Sequence, residues 1–186
     1  MKKTVWTFGL ISGAIISIMM AVTVPFQDKI GLDHGLVIGY TTMVVAFLLI
    51  YFGVRSYRDN VRGGSVRFGR AFAVGALIAL ISSACYVATW QVIYFNFMPD
   101  FLTKYQAHQL DKARAGGASE AELAKQKVQM DRIAVMYRNP VINAGMTLIE
   151  PLPVGLVIAL VSAGILSRAK KRDDGEMIAG ARGVTS

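Results

Sequence analysis

Four long apolar runs constrain this chain more than any other feature. Crossing about 30 Å of hydrocarbon takes about 20 apolar residues in a helix. Residues 5–24 (VWTFGLISGAIISIMMAVTV) meet that length without a charge, and so do residues 35–54 (GLVIGYTTMVVAFLLIYFGV). Residues 71–97 and 141–166 are longer still, and only the last contains an acidic or basic residue, Glu150. With 54% hydrophobic and 17% charged residues, the chain departs from the composition of a soluble domain. The expected fold is all-α: an integral membrane bundle of four transmembrane helices within residues 1–172, followed by a disordered cytoplasmic tail over 173–186.

The first run follows Lys2 and Lys3, as a signal peptide would. It exceeds the apolar length of a signal, however, and runs to Pro25-Phe26 without a small-residue cleavage pattern, so it reads as a retained helix. Orientation follows the basic residues. Lys2 and Lys3, then Arg55, Arg58, Arg62, Arg67 and Arg70, then Arg168, Lys170, Lys171, Arg172 and Arg182 fall on one side. The first connection offers only Lys29 against Asp28 and Asp33. Both termini are therefore expected in the cytoplasm and the protein in a bacterial inner membrane. The arginines also attract anionic lipid headgroups at the cytoplasmic face, by about 1 kcal/mol per basic residue near the surface.

The net charge of +8 does not indicate nucleic acid, because the basic residues flank apolar runs and build no basic face on a soluble fold. Cys85 is the single cysteine, which rules out an intrachain disulfide and a cysteine-based metal site. His34 and His108 lack paired ligand spacing, and the Gly63-Gly64 pair does not fit a phosphate loop. No catalytic residue, cofactor site or metal site is expected.

Residues 98–140 are the sizeable polar portion. Pro99 can open one helix, which Gly116-Gly117 ends, and Ser119 with Glu122 has the spacing of a capping box for a second. Asn139-Pro140 stops the second helix. These signals predict an extracytoplasmic helical hairpin whose apolar end (Ile133, Val135, Met136, Tyr137) packs on the bundle or dips into the interface.

The block from Tyr57 to Phe101 carries a Tyr57-Arg58-Asp59 exit from helix 2 and a Gly63-Gly64 turn. A Phe68 to Phe72 entry to helix 3 and a Phe95 to Asp100 exit from it follow. With the Glu150-Pro151 entry to the last helix, it resembles the bacterial membrane family catalogued as domain of unknown function 4199. The resemblance implies a four-helix integral membrane protein and brings no activity with it.

Small residues allow helix backbones to approach in lipid. Gly9 and Gly13 have that spacing in helix 1, Gly31, Gly35 and Gly39 in helix 2, Gly75 and Ala79 in helix 3, and Gly155 and Ala159 in helix 4. They are expected to pack the bundle internally, a homodimer or an unidentified membrane partner being the other use. Glu150 lies 16 residues from Leu166, about 24 Å at 1.5 Å per residue, and so in the outer part of the membrane. Pro151 is tolerated at a first helical position, so the last helix is expected to restart there. Equal depth in the other helices brings Tyr86, Thr89, Gln91 and Tyr40 near Glu150, a candidate intramembrane polar site. The expected function is that of a non-enzymatic accessory or structural membrane component. The alternative is a small homodimeric proton-coupled transporter in which Glu150 titrates.

Overall fold

The computed structural model describes residues 1–168; the expected tail lies outside the described residues. Among these, helices α1 (Lys2–Thr23), α2 (Gln27–Ile30), α3 (Leu32–Val61) and α4 (Phe68–Phe97) come first. Then follow α5 (Phe101–Ala115), α6 (Glu120–Tyr137), α7 (Pro140–Leu148) and α8 (Pro151–Ser167). Four segments are long and apolar enough to cross a membrane: α1, α3, α4, and α7 with α8 taken together. They run alternately up and down. One end of the bundle carries the α5–α6 hairpin and the other the arginine-rich α3–α4 connection.

The core is a stripe along each helix. Val5, Gly9, Ser12, Gly13 and Ile16 face inward from α1, at the three- and four-residue steps of a helix face. The opposite faces are just as apolar: Leu10, Ile18, Val45, Leu48, Leu80, Val157 and Ile165 are all exposed. A soluble helix would place charge there; a helix surrounded by lipid tails has no need of it.

Close backbone approach sets which helices touch. A Cβ on Gly75 would lie 2.8 Å from Ala159 Cβ, and one on Gly155 would lie 2.8 Å from Ala79 Cβ, so α4 and α8 interlock reciprocally. Gly9 and Gly13 take Ile81 and Cys85 of α4 in the same way. These six small residues thus serve contacts within one chain. The ladder expected in helix 2 differs. Gly31 is the N-cap of α3, with φ +81°, and nothing lies within 4 Å of a Cβ at Gly39. In α3 the close approach is at Gly53 instead, against Ile78 and Phe8. Buried hydroxyls tie the helices further: Ser12 donates to the Ala46 carbonyl at 2.9 Å, and Ser82 Oγ lies 3.1 Å from the Gly9 carbonyl.

The fourth crossing is broken in the middle, and the prolines explain why. Pro151 and Pro153 have no N–H to donate to the carbonyls four residues back, those of Thr147 and Ile149. Glu150 N–H instead bonds the Thr147 carbonyl at 3.3 Å, a tighter three-residue step. The restart at Pro151 is as expected, while the lead-in is itself a regular helix, α7. Asn139 ends one helix and opens the next: its side chain accepts from Val141 N at 2.9 Å, with Pro140 at the first helical position.

In the hairpin, Pro99 lies in the turn before α5 and not at its first position, since Asp100 is the N-cap. Of the apolar end of α6, Ile133, Val135 and Met136 remain exposed and Tyr137 turns inward. Leu123 is the residue that α6 buries. Lys112 of α5 meets Asp33 at the start of α3, at 3.0 Å, and His108 Nε2 lies 3.4 Å from the same oxygen.

The start of α6 is a complete capping box. Glu122 N–H donates to Ser119 Oγ, and Ser119 N–H returns a bond to Glu122 Oε2 at 2.8 Å. That backbone bond, and secondarily the Ser119 hydroxyl, hold the Glu122 carboxyl below its ordinary range. Gln106, then Lys127, do the same for Asp131. For carboxyls lowered in this way, the stabilisation is present above about pH 4 and lost as pH falls through the lowered values. The protection of the α6 amides, relative to their intrinsic exchange at each pH, should therefore fall below about pH 4. Ser119→Ala should cost the helix about 1 kcal/mol at neutral pH, read as faster exchange over residues 120–124. Unchanged exchange in that variant would show that the cap does not hold the hairpin.

Candidate functional site

The α7–α8 break puts Glu150 at the N-cap of α8, partly buried, with its side chain turned towards α4. Tyr86 of α4 donates its hydroxyl to Glu150 Oε2 at 2.8 Å. Tyr40 of α3 lines the same cavity beside this carboxylate. Glu150 forms no ion pair among the described residues.

Gln91 is placed elsewhere. Its Nε2 donates to the Pro140 carbonyl at 2.9 Å and to Asn143 Oδ1 at 3.2 Å. The reason is direction: Gln91 is five residues beyond Tyr86, well over one turn, and points at the start of α7 where Tyr86 points at its end. Thr89 faces the other neighbour, α1, with Oγ1 2.7 Å from Ser17 Oγ. Of the expected belt, Tyr86 and Tyr40 meet Glu150; Gln91 and Thr89 do not.

The sequence reading missed a second polar group beside the first. Trp90 Nε1 donates to the Tyr137 hydroxyl at 2.9 Å, and that hydroxyl lies 3.1 Å from Thr147 Oγ1. Asn143 is fully buried; it accepts from Gln91 and Thr147 and donates to the Tyr137 carbonyl at 3.3 Å. This network joins α4, the end of α6 and α7. Its signal in the sequence is Asn143 and Thr147, two polar residues one turn apart in an otherwise apolar run.

Between these groups and α1 the helices part, leaving a half-enclosed cavity of about 220 Å³ at the hairpin end of the bundle. Its wall is aliphatic and sulfur-rich on the α1 side, with Ile16, Met19 and Met20, and aromatic on the other, with Tyr86, Trp90, Phe101 and Tyr137. Glu150 brings a carboxylate to this wall, which among the described residues includes no lysine or arginine. Beyond it the middle of the bundle closes: Phe47, Ile50, Ile78 and Ala79 are all fully buried. Among the described residues no group of three metal-ligating side chains occurs. The arrangement suits holding a small amphiphile, with a carboxylate and a phenol as its polar contacts.

No curated protein and no solved structure matches this chain. A family match does exist, over residues 7–168, a stretch that takes in all but the start of α1, the other membrane-length helices and every residue lining the Glu150 cavity. By that match the chain belongs to the family described as Protein of unknown function (DUF4199).

Proposed function

We propose that this is a non-enzymatic accessory protein of a bacterial inner membrane, with both termini cytoplasmic, whose outer half holds a small amphiphilic ligand. The observation that carries the reading is the one-sided cavity. It lies at the hairpin end, next to Glu150, and the close-packed Gly75–Ala159 and Gly155–Ala79 contacts fill the half beyond it. A transporter needs the site to reach both faces in turn; a holding protein needs only one. The orientation rests on the arginines of the α3–α4 connection, since carrying Arg55, Arg58, Arg62, Arg67 and Arg70 outward would oppose the positive-inside bias.

Thiol labelling in intact cells tests both parts. In a Cys85→Ala background, Thr42→Cys on the cavity wall should react with a membrane-impermeant thiol reagent added outside. Ala163→Cys, in the buried half, should resist the reagent from either face. Labelling of Thr42→Cys only from the cytoplasmic side would reverse the orientation. Labelling from both sides would replace the holding role with the transporter.

A further inference from the structure

The cavity wall carries a carboxylate that no basic side chain faces among the described residues. Tyr86 gives Glu150 a neutral hydrogen bond through Oε2, and Tyr40, a second neutral phenol, lines the cavity beside it. Carboxylates within membrane segments ordinarily pair with a cation or serve a ligand. Here no basic side chain lines the cavity among the described residues.

The rest of the wall selects among cations. Hard metal ions demand several oxygen ligands, and among the described residues this wall presents one carboxylate. Its rings and thioethers suit a different kind of charge. Tyr86, Trp90, Phe101 and Tyr137 offer aromatic surface, which attracts weakly hydrated organic cations through the ring quadrupole. Met19 and Met20 supply adaptable, polarizable contacts for an apolar body. Size narrows the class further. A cavity of about 150 Å³ accepts benzene, so 220 Å³ takes one ring with a small charged head.

We propose that the Glu150 cavity binds a small lipophilic monocation, a quaternary or protonated amine on an aromatic or aliphatic body. Glu150 is the counter-charge, and the aromatic wall of α4, α5 and α6 surrounds the head. The proposal rests on the reading of this cavity as a ligand-holding site and names the ligand class. Anionic amphiphiles are excluded by the same charge, and neutral ones gain nothing from it.

The test is a titration of the full chain in nanodiscs of zwitterionic lipid. A Trp6→Phe substitution at the exposed far end of α1 leaves Trp90 as the only indole of the chain. The probes are benzyltrimethylammonium, its neutral isostere 2,2-dimethylpropylbenzene, and the anion phenylmethanesulfonate, with partitioning into empty discs subtracted. The cation should change Trp90 emission saturably and bind at least tenfold more tightly than the neutral isostere, with no saturable response to the anion. Glu150→Gln should remove that tenfold preference, and Glu150→Asp, which keeps the charge, should restore part of it. Equal or tighter binding of the neutral isostere would overturn the cation assignment while leaving a ligand-holding cavity. Unaltered cation affinity in Glu150→Gln would also overturn it. If no probe alters Trp90 emission or slows labelling of Thr42→Cys, both the cation assignment and the holding role fall. The wild-type comparison of cation with isostere decides the matter even where a variant fails to fold.

Discussion

Gly75→Leu is expected to lower the thermal stability of the lipid-embedded protein sharply, while Gly164→Leu leaves it almost unchanged. The contrast isolates packing, because both glycines lie inside helices that cross the bundle and both changes add the same side chain. At Gly75 the first added atom would already lie 2.8 Å from Ala159 Cβ and 3.2 Å from Ala159 Cα. Neither can rotate away: one is a methyl carbon fixed to the backbone and the other is backbone. The α4–α8 contact must open, and overpacking of this kind costs about 1–3 kcal/mol or more. A kcal/mol corresponds to about 2–4 °C in a chain of this size. At Gly164 a Cβ meets nothing within 4 Å, so the change stays within about 0.5 kcal/mol. Melting of the two variants in the same lipid is the measurement. Equal losses would mean that the Gly75–Ala159 approach does not hold the bundle together.

The second large effect is expected at Asn143. It is fully buried, and three of its polar contacts join separate helices or turns: to Gln91, to Thr147 and to the Tyr137 carbonyl. Asn143→Leu keeps similar bulk and removes all of them. The Tyr137 carbonyl at the end of α6 loses its side-chain donor, and Gln91 keeps only Pro140. Each buried group left unpaired costs about 1–3 kcal/mol. Gln91→Leu should cost less, about 1 kcal/mol, because Thr147 remains beside Asn143 and Gln91 sits nearer the surface. The distinguishing readout is local. Amide exchange over the last turn of α6 and the first of α7 should rise in Asn143→Leu, and Trp90 emission should shift as Tyr137 loosens. Exchange at wild-type rates there would show that the network does not anchor the hairpin.

The four membrane-length helices were legible in the sequence because each depends on a local property, about 20 residues without charge. The hairpin was legible for the same reason: a glycine pair, a capping box and an Asn-Pro pair act on their own neighbours. The restart at Pro151 follows from a missing N–H, and needs no knowledge of what lies opposite. Even the pairing of Glu150 with Tyr86 came within reach, since depth in a membrane gives each helix a common coordinate.

Depth is one coordinate only, and the other is rotation about the helix axis. Gln91 lies five residues, about 7.5 Å, beyond Tyr86 along α4 and meets the other end of α7, while Thr89 between them is turned towards α1. A soluble helix reveals its rotation through its polar face. Here Leu80, facing out, and Ile78, fully buried, are equally apolar, so that signal is erased. What the sequence determined by itself is therefore the number, length and punctuation of the helices. Tertiary structure alone decided which side of each helix faces its neighbours. From that came the shift of the α3 approach from Gly39 to Gly53, the Asn143 network and the cavity beside Glu150. Those features arise from the meeting of faces on different helices, and no local stretch of chain encodes a meeting.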